Sequence, residues 1–212
     1  MTEISIDEYL NNRTNFLDDY LRVKELKVTG KAPKDCSGLF SGFKGEKLDL
    51  SKLDTSETTD MCYFFADCPS LKEINLTGLD TKNVTNMESF FEDCHSLKEV
   101  NLASLDTSKV ENMRYFFDNC KSLEEVGLIG FDTKNVKNML CFFFGCESIK
   151  KLDLSSFNLK KCKFTNCMFT DVKAEIVASD PKIMDAVRLE QEEQEGMEHI
   201  ISIKNDIDDI DY

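Results

Sequence analysis

One interval governs this chain: every 26 residues the same side chains return. Leu48, Ile74, Val100, Val126 and Leu152 stand 26 apart, and two residues beyond each come Leu50, Leu76, Leu102, Leu128 and Leu154. That alternation puts two side chains of one short strand on the same face. One such unit cannot bury its apolar side alone, whereas stacked neighbours share a continuous interior. A chain with this interval is therefore predicted to fold as a pile of coils.

The remaining positions repeat as faithfully. Leu53, Leu79, Leu105, Phe131 and Phe157 are each followed by Asp54, Asp80, Asp106, Asp132 or Asn158, whose side chains suit an Asx-turn at a tight bend. Thr55, Thr81, Thr107 and Thr133 come next, and Val84, Val110 and Val136 after them, which fits an extended loop. Met61, Met87, Met113 and Met139 precede the pairs Phe64-Phe65, Phe90-Phe91, Phe116-Phe117 and Phe142-Phe143 by three and four residues. That spacing predicts about two helical turns per repeat, with Asp60, Asn86, Asn112 and Asn138 as N-caps. Cys68, Cys94, Cys120 and Cys146 close each unit. One cysteine per coil reads as a ladder of small buried hydrophobes, since zinc sites use paired CxxC-type ligands. Cys162 and Cys167 fall outside that ladder and read as packing residues of a degenerate last turn.

The predicted fold is an α/β repeat, a leucine-rich-repeat-like solenoid with one short parallel strand and one short helix per turn and helical N- and C-terminal caps. Residues 1–45 hold a capping helix and a degenerate first repeat, 46–172 hold five repeats with the last degenerate, and 173–212 hold an acidic helix and tail. Ser5-Ile6-Asp7-Glu8 is a capping box, and Ile6, Leu10, Leu17 and Leu21 predict an amphipathic helix over 5–22. Leu26 and Val28 predict a first strand, and Leu39, Phe40 and Phe43 a shortened Phe-rich helix. Ser179 or Asp180 before Pro181 starts a helix running to about Lys204, with Ile183, Val187 and Ile200 inward.

The units INLTGLDTKNVTNMESFFEDCHSL and VNLASLDTSKVENMRYFFDNCKSL resemble the repeat of the BspA-like leucine-rich-repeat surface proteins of bacteria, approximately LDLSxFDTSxVTNMxxMFxxCxSL. The resemblance covers residues 46–172. It implies a curved solenoid used for adhesion or protein-protein contact, with no catalytic residues to carry over. Phe stands here where that family has Met in its MF pair, and the basic start and apolar run of an export signal are not seen.

Composition narrows the function. The formal charge is -14, with twelve acidic and four basic residues over 173–212 and five acidic and one basic over 1–20. A field of that sign opposes direct nucleic-acid binding. Nine cysteines, an odd number, and an N-terminus without a signal-peptide pattern point to reduced thiols and a cytoplasmic protein. No stretch has the roughly 18 apolar residues of a membrane span. His95 and His199 lack partners at catalytic spacing, and no phosphate-cradling glycine loop or HExxH motif occurs. The expectation is a non-catalytic module with no cofactor or metal that binds a protein partner.

Four surfaces are candidates. The outward strand positions Lys47, Asp49, Glu73, Asn75, Glu99, Asn101, Glu125, Lys151 and Asp153, with Gly127 among them, form the natural recognition face or a merely solvated sheet. Glu88, Glu92, Asp93, Asp118, Glu190, Glu192, Glu193 and Glu195 could instead imitate nucleic-acid phosphates and occupy a DNA- or RNA-binding protein, as an inhibitor carried by a phage or mobile element would. Leu140, Cys141 and Phe144 make an apolar patch, covered by the C-terminal helix or free to dock a partner or a second copy. Lys82, Lys109, Lys134, Lys160 and Lys161 form a loop stripe that suits solubility or a phosphate backbone.

Overall fold

The structure, a computed structural model, describes residues 1–11, 23–193 and 203–204. Its strands are β1 (Thr2–Ser5), β2 (Glu25–Lys31), β3 (Lys47–Asp54), β4 (Glu73–Asn75), β5 (Glu99–Asn101), β6 (Glu125–Gly127), β7 (Lys151–Asp153), β8 (Glu175–Val177) and β9 (Ile203–Lys204). Every pairing is parallel, and the strands form three sheets in chain order, β1 to β4, β5 with β6, and β7 to β9: Leu48 faces Ile74, Val100 faces Val126 and Leu152 faces Ile176. The solenoid is a parallel β-solenoid of about seven turns, β2 to β8, one strand longer at each end than the five clear repeats.

The inward residues are those that alternation selects. Leu48, Leu50, Leu76, Val100, Leu102, Leu128, Leu152 and Leu154 are buried, while Ile74 and Val126 are partly so. Deeper in, the phenylalanines form two columns through the stack. Phe64, Phe90, Phe116 and Phe142 lie near-parallel with centroids 5.2–5.6 Å apart. Phe65, Phe91, Phe117 and Phe143 do the same at 5.1–5.5 Å. Within each coil the two rings meet edge to face at 4.6–4.9 Å. Each ring thus has favourable aromatic neighbours within and between coils.

The Phe-bearing half of each coil is not a helix, which corrects the expected helix per turn. Its backbone bonds run between coils: the N–H groups of Met61, Tyr63, Phe65 and Asp67 donate to the carbonyls of Asn86, Glu88, Phe90 and Glu92 at 2.8–3.0 Å. Tyr63, Ser89, Tyr115, Cys141 and Cys167 adopt φ of 54–59°, and so do Asp67, Asp93 and Asn119, with Gly145 and Asp171 at 67° and 63°. Two left-handed residues per coil interrupt any right-handed run. A helix would spend these N–H groups internally; the flat turn gives them partners in the next coil and ties the stack together.

Nor do Asp60, Asn86, Asn112 and Asn138 cap helices. Each accepts the N–H two residues on, at 2.9–3.2 Å, as an Asx-turn does. The bends at Asp54, Asp80, Asp106, Asp132 and Asn158 follow the same rule at 2.9–3.2 Å, as the sequence predicts. The threonines after them are not loop filler but a buried polar ladder. Thr107 Oγ1 donates to the Asp132 carbonyl at 3.0 Å and accepts the Asp132 N–H at 2.8 Å, and Thr55 and Thr133 do the same for Asp80 and Asn158.

Two short helical segments flank the stack. Residues 6–11 are helical, Ser5 Oγ accepts the Glu8 N–H at 3.1 Å, and the Tyr9 ring lies 5.1 Å from that of Phe40. Leu17 and Leu21 of the expected helix lie outside the described residues. The chain before this segment forms β1, an addition the amphipathic pattern did not show. The C-terminal helix, Pro181–Glu193, starts as expected, with Asp180 Oδ1 accepting the Lys182 N–H. It does not reach Lys204, because Ile203–Lys204 pairs with β8 as β9; Ile200 lies outside the described residues. The helix is anchored to the last full repeat: Asp180 accepts the Leu159 N–H at 2.7 Å, Lys182 donates to the Lys160 and Cys162 carbonyls, and Thr170 donates to Glu190 at 2.6 Å. Those anchors lie one coil beyond Leu140, Cys141 and Phe144, which remain half-buried.

Candidate functional site

The strands set the candidate face. Within each sheet, parallel in-register pairing brings the side chains at one strand position into a row about 4.8 Å apart, and the coil repeat carries the row across the breaks between β4 and β5 and between β6 and β7. The row is Glu25, Lys47, Glu73 on β2 to β4, then Glu99 and Glu125 on β5 and β6, then Lys151 and Glu175 on β7 and β8. At its start the signs alternate, and Lys47 Nζ lies 3.8 Å from Glu25 and 3.0 Å from Glu73. At its end Lys151 stands in register with Glu175. Between them come three exposed glutamates: Glu73, paired with Lys47 at the end of the first sheet, and then Glu99 and Glu125, which stand in register on β5 and β6 with no cation between them.

The next row along cannot relieve them. Lys72 is engaged by Glu46 at 2.9 Å and Lys98 by Glu124 at 3.3 Å. Among the described residues Glu99 and Glu125 form no ion pair. A groove of about 560 Å³ runs across β4 to β6, floored by Ile74, Val100 and Val126 and rimmed by Glu73, Glu99 and Glu125. A second hollow of about 520 Å³ continues it past Lys72, Lys98 and Glu124.

The other expected members of this face have structural work. Asp49, Asn75, Asn101 and Asp153 each accept the N–H two residues on at 2.9–3.1 Å; the last three end their strands in Asx-turns, and Asp49 lies within β3. The Ser155 hydroxyl and N–H hold the Asp153 carboxyl below its usual range. Gly127 carries no side chain there. The face thus reduces to the glutamate row and the two lysines that bound it, Lys47 and Lys151.

The proposed phosphate-like set is scattered by comparison. Asp118 is only 8% exposed, and burial, then Glu92 and Asp93, push its carboxyl up to about 6. Glu88 Oε2 accepts from Asn112 at 2.8 Å, and Glu92 and Asp93 are half-buried. Glu190, in the C-terminal helix, is buried against the stack and bonded to Thr170. Glu192 and Glu193 lie in that helix, and Glu195 lies outside the described residues. The lysine stripe is likewise used locally: Lys82 and Lys134 pair with Asp80 and Asp132 at 2.6 Å, while Lys109 and Lys161 donate to Asn83 and Asn135.

The cysteine ladder is built for packing. Cys68, Cys94, Cys120 and Cys146 are fully buried, and each thiol donates to a carbonyl of the preceding coil at 3.1–3.3 Å. Burial pushes the thiols of Cys94, Cys120 and Cys146 well above their ordinary range. Cys162 is buried as expected, but Cys167 is exposed and takes the same place in its coil as Cys141, which corrects its reading as a packing residue. His95 is exposed, its Nδ1 2.9 Å from the Asn119 carbonyl; His199 lies outside the described residues. No described group of three or more His, Cys, Asp or Glu side chains could hold a metal ion, and no helix among the described residues is long and apolar enough to cross a membrane.

Residues 34–128 and 99–180 match the family described as "Mycoplasma protein of unknown function, DUF285". No curated protein and no solved structure matches the chain. The two matched segments overlap within the repeats and together take in β3 to β8, more than half of the sequence, so the chain belongs to that family.

Proposed function

We propose that this chain is a non-catalytic protein-binding module whose recognition surface is the groove over β4 to β6, and that its partner presents cationic side chains to Glu73, Glu99 and Glu125. The carrying observation is the break in charge alternation. Cross-strand neighbours of opposite sign stabilise a sheet and like charges directly opposite destabilise it, and the row alternates where it begins and ends. Glu99 and Glu125, directly opposite each other, repel by about 1 kcal/mol even in water. A local rule broken at the centre of an otherwise consistent structure is where function is to be sought. A partner's Lys or Arg set into the groove would relieve that repulsion and would bind faster at low salt.

Glu99→Lys tests this reading, because it restores alternation along the row. Immobilised wild-type chain and variant are exposed to native extract, and the captured protein is cross-linked to Lys72 and Lys98 at the groove edge. The expected outcome is a variant at least as heat-stable as wild type that captures the same partner tenfold less or worse, with wild-type capture falling as salt rises. Undiminished, salt-independent capture by the variant would show the row to be a solvated sheet surface and nothing more.

A further inference from the structure

Cys141 and Cys167 are 26 residues apart and occupy the same place in successive coils, both at φ 54°. The Cys141 N–H donates to the Asn166 carbonyl at 3.0 Å and that of Phe143 to the Met168 carbonyl at 3.0 Å, so the two segments run side by side. Neighbouring parallel segments stand about 4.8 Å apart, within the Cα separation that a disulfide spans. The Cys167 thiol lies close enough to that of Cys141 to help raise its pKa. Cys167 is exposed and Cys141 half-buried, whereas the other stacked cysteines are sealed in the core with their thiols bonded to carbonyls. In the preceding coils the same place holds Tyr63, Ser89 and Tyr115, so this is the one described pair of surface cysteines in that row.

We propose that Cys141 and Cys167 form a peroxide-sensitive dithiol that closes into a disulfide between the last two repeats. Cys167, the open member, attacks one oxygen of hydrogen peroxide; its sulfur becomes a sulfenic acid and the other oxygen leaves as hydroxide, which takes up a proton to become water. The Cys141 sulfur then attacks the sulfenic sulfur, the S–S bond forms, and the sulfenic oxygen leaves as a second water after taking the Cys141 proton. Two thiols lose two electrons and two protons, and one peroxide becomes two waters. Burial, then the adjacent Cys167 thiol, push the Cys141 thiol up to about 12, which suits it to the second, resolving role and not the first.

The bond would clamp the coil that carries Leu140 and Phe144 to the coil that anchors the C-terminal helix. Closing a loop of this length restricts the unfolded chain, and for a protein of this size it raises Tm by roughly 5–10 °C.

The test treats the full chain with a small excess of hydrogen peroxide, blocks remaining thiols with an alkylating agent, digests it and maps the cysteines by mass spectrometry. A Cys141–Cys167 linked peptide lighter by two hydrogens, in monomeric protein with a raised Tm that dithiothreitol reverses, is the expected result. Cys141→Ser and Cys167→Ser should each abolish both the link and the Tm rise, while Cys62→Ser leaves both intact. Finding Cys141 alkylated and Cys167 only as sulfinic acid, or joined to Cys167 of another molecule, would overturn the proposal. So would a Tm rise that survives in Cys141→Ser.

Discussion

Asp118→Asn should stabilise the protein at neutral pH and leave it little changed in acid. Asp118 occupies the same place in its coil as Glu92 before it and Phe144 after it, and its Oδ1 is buried without a hydrogen-bond partner. Burial, then the charges of Glu92 and Asp93, raise its carboxyl from an ordinary 3.8 to about 6. Because the folded-state value is raised, the folded chain keeps a proton between these two values that the unfolded chain has lost. Stability therefore falls as pH rises through that window and stays low above about 6. The gap corresponds to about 3 kcal/mol at most, and to about 2 kcal/mol once solvent screening of the half-exposed Glu92 and Asp93 is allowed for. An amide of the same shape carries no charge to desolvate. Calorimetric Tm values from pH 4 to 8 should show the variant about 4–8 °C above wild type at pH 8, with the two converging toward pH 4. A variant that melts at or below wild type at pH 8, or a difference that ignores pH, would refute the reasoning.

Two further outcomes follow from the columns inside the solenoid. Phe116→Ala removes a fully buried ring from two aromatic stacks and should cost about 3–5 kcal/mol in denaturant unfolding; Tyr115→Ala, which takes away a half-buried ring under the Arg114 guanidinium, should cost far less. Thr107→Val keeps the shape of a buried side chain but strands the Asp132 N–H and leaves its carbonyl without the hydroxyl, a loss of about 1–3 kcal/mol, and Thr107→Ser should recover most of it by the same measurement.

The strands were legible because inward alternation depends only on side chains facing one way, and that holds whatever the neighbouring coil does. The Phe half of the unit was misread for an equally physical reason. Residues three and four beyond a Met share a helix face, but consecutive phenylalanines also point inward from a flat turn whose two left-handed residues redirect the chain. One of the two was visible: Asp67, Asp93, Asn119, Gly145 and Asp171 are the residue types that tolerate positive φ. The other was not, since Tyr63 and Tyr115 are held there by bonds to the next coil, which no local propensity reports. The same limit hid the threonine ladder and the use of Asn75 and Asn101 as strand-ending turns. Cys141 and Cys167 obey the visible interval, yet their row holds Tyr, Ser and Tyr in earlier coils, so only the fold shows that they meet.

The magnitudes explain why a like-charged row can persist at the centre of this sheet. In a stack of coils each unit is held by its nearest neighbours, and here an interface such as that between the Phe90-Phe91 and Phe116-Phe117 coils joins two Phe columns, a threonine hydroxyl bonded to the next coil and a run of inter-coil backbone bonds. Losing a single ring from that set costs about 3–5 kcal/mol, whereas adding one like-charged contact on the exposed face costs about 1 kcal/mol. The interior therefore dominates each interface several times over, and the outward strand positions are free to carry charge patterns that the stack does not need. Glu99 and Glu125 are held in register by the paired strands β5 and β6, so a partner of the kind proposed would meet them already placed, and the ordering cost of such binding would fall mainly on that partner.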